Sequence, residues 1–126
     1  MNRSELSGSE TLIMKALWEA GGLMTIPDLM IALKEKYDKD YAKTTVITFL
    51  VRLSDKGYAR HKREGKCAVV RALITEEEYR RQVAVKDNEL WFKGRPVNFL
   101  SALHDNGKLG KEEIRQIEEY LNELRD

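Results

Sequence analysis

Apolar residues recur at helical spacing along most of this chain, and only the stretch 58–73 breaks that rhythm. Leu12, Ile13, Ala16, Leu17 and Ala20 fall on one helical face. They follow a Ser7/Glu10 pair with the spacing of a capping box, and Gly21-Gly22 ends the pattern. Thr25 and Asp28 frame a second helix start, with Pro27 in the first turn, where its missing N–H has no helical partner. Leu29, Met30, Leu33 and Tyr37 supply the stripe of that helix, and Asp38-Lys39-Asp40 breaks it. A third helix runs from Lys43 or Thr44 to Lys56. Val46, Phe49, Leu50 and Leu53 form its narrow apolar face, and Thr44, Thr45, Ile47, Thr48, Val51 and Arg52 its opposite side. Gly57 stands where a left-handed stop is needed. Residues 58–63 and 66–73 then read as two strands around Glu64-Gly65, with β-branched weight at Val69-Val70.

From Thr75 the pattern is wholly helical. Thr75 and Glu78 form another capping box, and Tyr79, Val83 and Leu90 mark a long helix ending near Trp91-Phe92. Gly94-Arg95-Pro96 interrupts it. A short helix follows with Val97, Leu100 and Leu103 inward and Phe99 beside them, closing at Asn106-Gly107. The last helix sets Ile114, Ile117, Leu121 and Leu124 near a heptad seam.

The order helix, helix, helix, basic hairpin is that of a winged helix-turn-helix domain. The expected fold is therefore mostly α: a winged helix over residues 1–73, followed by a helical domain over 74–126. About 50 residues in three helices bury such stripes poorly alone. A two-fold dimer is the commonest remedy; the alternative is that these helices fold back on the winged helix of the same chain. The seam would use Tyr79, Val83, Leu90, Phe99, Leu100, Leu103, Ile114, Ile117, Leu121 and Leu124.

Composition narrows the class. With 42% hydrophobic and 34% charged residues the chain carries enough apolar material for a core. No apolar run approaches the ~20 residues of a membrane helix. The polar opening, residues 1–5, lacks the pattern of a secretory leader. The single Cys67 makes no intrachain disulfide, which suits a reducing cytoplasm, and in a strand it is expected to be buried or half-buried.

Net charge is only +1, but it is unevenly placed. Residues 1–73 hold 13 Lys/Arg against 9 Asp/Glu; residues 41–73 hold 8 against 2. A basic segment on a balanced scaffold suits a polyanion-binding face, and a solvated charged surface is the alternative. The bases concentrate on the two elements that would touch DNA, the third helix and the hairpin. Only His61 and His104 are present, with no metal-ligand spacing, no phosphate loop and no nucleophile motif. No catalytic residue, metal or cofactor is expected.

Several stretches resemble the penicillinase-repressor (BlaI/MecI/CopY) family of bacterial regulators. They are Leu6-Ser7, Glu10, Ile13-Met14 and Leu17-Trp18; Thr44-Thr45-Val46, Thr48, Leu50, Arg52-Leu53 and Lys56-Gly57-Tyr58; Glu76-Glu77-Glu78-Tyr79; and Leu109 with Glu112-Glu113-Ile114. The resemblance implies a cytoplasmic transcriptional repressor that binds a palindromic operator in double-stranded DNA as a homodimer, with no membrane partner. The recognition helix, about 43–56, would lie in the major groove with Lys43, Thr44, Thr45, Thr48 and Arg52 on DNA, and Thr45 has the alternative role of N-cap. The wing, 58–73, would place Arg60, Lys62, Arg63 and Lys66 on phosphates.

Two positions depart from the family pattern. Ile47 stands where a base-reading polar residue is frequent, and Lys43 where an aromatic or proline is.

Family members are released by a protease acting in the dimerisation domain or by copper. The copper branch needs Cys-x-Cys pairs, which a chain with one cysteine lacks. The proteolysed members carry an Asn-Phe bond. Here that pair is Asn98-Phe99, whereas anchoring on Leu109 and Ile114 puts the scissile position nearer Ala102-Leu103. A winged-helix protein-interaction module and a small-molecule-responsive regulator are the alternative functions.

Overall fold

Three side-chain caps set the frame of the chain. Ser7 and Glu10 close a reciprocal capping box at the head of α1 (Gly8–Glu19). The Thr25 hydroxyl accepts from the Asp28 N–H at 3.2 Å and starts α2 (Ile26–Tyr37). Thr75 and Glu78 exchange hydrogen bonds at the head of α4 (Glu76–Phe92). Between them lie β1 (Leu23–Thr25), α3 (Lys43–Lys56), β2 (Ala59–Glu64) and β3 (Cys67–Ala72); α5 (Pro96–Asp105) and α6 (Lys111–Leu124) complete the chain. This computed structural model describes residues 5–125. Residues 1–4, most of the polar opening segment, and Asp126 lie outside the described residues.

The chain divides into two compact units, Met1–Gln82 and Val83–Asp126. In the first, α1, α2 and α3 pack with an antiparallel sheet of order β1-β3-β2, the winged-helix arrangement expected from the sequence. Ile13, Met14, Leu17, Ile26, Leu29, Leu33, Val46, Leu50, Leu53, Tyr58 and Val70 form its buried centre. The first turns of α4 join this unit. Tyr79 sets its ring 5.8 Å from Trp18 and 5.5 Å from Tyr58, and its hydroxyl accepts the Leu6 N–H at 3.3 Å.

Four details differ from the sequence reading. A third strand, β1, pairs Leu23 with Arg71, Met24 with Val70 and Thr25 with Val69; three residues abutting a helix cap show no period of their own. Met14 is buried in α1, whereas Ala20 is exposed at its C-cap. The hairpin turn lies one residue later than expected: Glu64 pairs with Cys67 across Gly65-Lys66, and Gly65 takes φ +64°. Cys67, expected inside, is exposed beside that turn.

In the second unit no described residue is buried in α5, in α6 or in the part of α4 it contains. Phe92 and Phe99 meet edge to face at 5.1 Å, and the Asn98 side-chain amide donates to the Phe92 carbonyl at 3.1 Å. Leu90, Phe99, Ile114, Leu121 and Leu124 remain between 39% and 61% exposed, while Val83, Leu100, Leu103 and Ile117 are half-buried.

Candidate nucleic-acid interface

The periodicity of α3 separates two faces. Val46, Leu50 and Leu53 are 0–1% exposed on the inner side, so the helix is packed against α1 and β2. Lys43, Thr44, Thr48, Val51 and Arg52 are exposed on the outer side, with Thr45 and Ile47 half-buried on its flanks. The N-cap is Ala42, with no side-chain hydrogen bond, so Thr45 is not the cap. No side chain caps the head of this helix, and its first-turn N–H groups suit a phosphate oxygen.

Individual side chains on this face are positioned by their neighbours. The Thr48 hydroxyl donates to the Thr44 carbonyl at 3.0 Å, leaving its oxygen as an acceptor. The Arg52 guanidinium lies 5.9 Å from the centre of the Phe49 ring. Phe49 in turn meets the Tyr41 ring edge to face at 5.4 Å, and the Tyr41 hydroxyl is hydrogen-bonded to Ser9 at 2.9 Å. A packed chain from α1 therefore ends under the one arginine of α3. Lys56 has a different role: its ammonium meets Glu10 at 2.6 Å and the Glu5 carbonyl at 3.1 Å, anchoring the last turn of the helix.

Gly57, at φ +85°, ends α3 and turns the chain directly into β2. Strand alternation then divides the wing cations between two sides. Ala59, His61 and Arg63 share the core-facing side with Val70. Arg63 lies beyond the core, and its guanidinium donates to the Lys66 carbonyl in the turn at 3.1 Å. Arg60 and Lys62 share the outer side with Glu64, Val69 and Arg71. There Glu64 lies 3.7 Å from Lys62 and 3.5 Å from Arg71. These five residues and Leu73 line a shallow cleft of about 250 Å³.

The sequence places Val51 on the outer face of α3, where it is 46% exposed beside Arg52, but does not single it out as a contact, and it leaves Arg71 out of the interface. The i, i+4, i+7, i+8 spacing of Thr44, Thr48, Val51 and Arg52 signals the first. Finding the second requires the strand register.

A second cleft in the first unit, of about 450 Å³, is open to solvent and lined by Trp18, Gly21, Gly22, Leu73, Glu76 and Glu78 among others. Among the described residues no group of three or more His, Cys, Asp or Glu is placed to hold a metal ion. No helix among them is long and apolar enough to cross a membrane.

The sequence model of the penicillinase repressor family matches residues 6–123. The chain is similar to the penicillinase repressor of Bacillus licheniformis, with 26% identity over 94% of this chain and 91% of that one. It is also similar to the solution structure of the DNA-binding domain of the repressor BlaI: 26% identity, TM-score 0.50, 63% of this chain and 94% of that one covered. A winged-helix DNA-binding protein from STIV shares the fold at 14% identity and TM-score 0.51, over 70% of this chain and 96% of that one.

Proposed function

Because the chain belongs to the penicillinase repressor family, we propose that it represses transcription by binding palindromic operator DNA as a homodimer. The observation that carries this reading is the outer face of α3. Thr44, Thr48, Val51 and Arg52 are exposed on a helix whose other side is buried. Such a helix fits the major groove, with the hydroxyls and first-turn amides on phosphates and Arg52 on a phosphate or a guanine edge. Lys43 and Thr45 flank the same contact, Val51 and Ile47 supply apolar contacts of the kind a thymine methyl accepts, and Arg60, Lys62, Arg63 and Lys66 hold the backbone. Residues 1–73, together with the first turns of α4, act as the DNA-binding domain, and the helical remainder of 74–126 acts as the dimerisation domain.

Pairing through the second unit is supported by its exposed apolar residues, Leu90, Phe99, Ile114, Leu121 and Leu124. Tyr79 is engaged by Trp18 and Tyr58 in its own subunit and is not free to form that seam. The protein works in the cytoplasm, catalyses no reaction and uses no cofactor. Its release by a protease acting in the dimerisation domain involves one of two bonds, Asn98-Phe99 or Ala102-Leu103. Both lie within α5, so cleavage requires that helix to open locally.

Selection of bound sequences from random duplexes tests the main reading. It should yield an inverted repeat whose affinity falls steeply with salt. Recovery of no common sequence, or salt-independent binding, would favour a protein-interaction module instead.

A further inference from the structure

The wing cations lie on both sides of a two-stranded hairpin, Arg63 on one and Arg60, Lys62 and Arg71 on the other. A hairpin offered to a groove tip-first has a row of phosphates on each side, so cations on both faces suit one duplex. Among the described residues the outer side also carries a single carboxylate within ion-pair distance, that of Glu64. It is shared between Lys62 and Arg71 at 3.7 and 3.5 Å, with all three side chains at least 40% exposed. Ion pairs this long and this exposed are weak. A phosphate oxygen carries the same charge and accepts the same hydrogen bonds, so it can take the place of Glu64 without any change of backbone.

We propose that Arg71 is a DNA-backbone contact of the wing and that Glu64 is its built-in counter-anion, occupying Lys62 and Arg71 until phosphates replace it. The Arg71 side chain extends from the row of Arg60 toward the hairpin tip to reach Glu64, and therefore already points along the wing. Glu64 offsets part of the charge that would bind any duplex indiscriminately. Its loss raises affinity for DNA in general more than affinity for the operator.

This inference rests on the DNA-binding reading above, and the experiment separates the two. The full chain and its Glu64→Gln, Arg71→Gln and doubly substituted forms are titrated with a mixed-sequence duplex of about 30 base pairs across a range of salt. Arg71→Gln is expected to weaken binding about threefold to tenfold and to lower the slope of log affinity against log salt by about 0.9. Glu64→Gln is expected to tighten binding by a similar factor, and by much less when Arg71 is already replaced. Glu77→Gln, which removes an exposed carboxylate from the first turn of α4 and releases its partner Arg81, is the control for loss of an acid–arginine pair away from the wing. An unchanged slope in Arg71→Gln overturns the proposal, as does equal tightening by Glu77→Gln. If Arg52→Ala still weakens operator binding in that case, the function stands without this wing contact. If Arg52→Ala is also silent, the DNA reading itself fails.

Discussion

Glu10, 1% exposed in the first turn of α1, receives the Lys56 ammonium at 2.6 Å from the last turn of α3. The same carboxylate accepts the Ser7 N–H at 2.8 Å. One buried side chain thus closes the cap of the first helix and fastens the end of the helix proposed to read DNA. Burial pushes the Glu10 carboxyl up, but hydrogen bonds from Lys56 and from the Ser7 backbone and side chain outweigh it. The carboxyl is held below the usual value near 4.5.

A carboxyl depressed in the folded state adds stability above its unfolded value and loses it as pH falls through the lower folded one. Thermal stability of the first unit should therefore be flat near neutrality and decline below about pH 4.5. Glu10→Gln should be less stable at neutral pH and show a shallower acid decline. Lys56→Met, which leaves the buried carboxylate without its cation, should cost about 2–4 kcal/mol, discounted because Lys56 is 28% exposed. Parallel acid profiles for wild type and Glu10→Gln would show that this pair does not govern the transition.

Gly57 offers an independent test of how α3 is joined to the wing. Its φ of +85° lets the Gly57 N–H reach the Ser54 carbonyl at 3.1 Å and the Tyr58 N–H reach the Leu53 carbonyl at 2.9 Å. An L side chain is strained there, so Gly57→Ala should cost about 1 kcal/mol. For a unit of this size that lowers the melting temperature by about 4–8 °C. An unchanged melting temperature would mean that the turn relaxes freely.

What the sequence made legible was whatever depends on near neighbours. The Ser7, Thr25 and Thr75 caps, the stop at Gly57 and the outward stripe of α3 all follow from spacings of three, four or seven residues, and all appear in the structure. Features set by contacts between distant segments were not legible. Glu10 looks like an ordinary first-turn acid until Lys56, 46 positions away, is brought beside it. Arg71 reads as one more surface cation until the register of β2 and β3 puts it on the side of Lys62 and Glu64. Tyr79 has the spacing of a seam residue, yet Trp18 and Tyr58 engage it within its own unit.

The contact of Arg52 with Phe49 predicts a graded effect on DNA binding. Phe49→Leu keeps most of the packing volume but removes the ring face below the guanidinium, a contact of about 0.5–1 kcal/mol when exposed. Operator affinity should fall about twofold to fivefold, with far-ultraviolet dichroism unchanged. Arg52→Ala removes the contacting group itself and should cost about 1–3 kcal/mol. Equal losses in both variants would mean that Phe49 supports the helix as a whole rather than the arginine on it.

In α6, Ile117 is half-buried and Leu121 is 44% exposed, each three residues from its neighbour on the same apolar stripe, Ile114 and Leu124 respectively. No described residue of that helix is fully buried, so a second copy is the proposed cover of the stripe. Replacing both Ile117 and Leu121 with Glu would place two carboxylates against apolar surface, a cost of several kcal/mol that the dimer cannot absorb. Sedimentation should show a shift to monomers at concentrations where the wild type is paired. The near-ultraviolet signal of Trp18, which donates its indole N–H to the Ile74 carbonyl at 2.9 Å, should stay intact. Operator affinity should drop by about a hundredfold or more, because each half-site is then bound without the effective concentration that linkage provides. A variant that sediments as a dimer would place the seam on another surface.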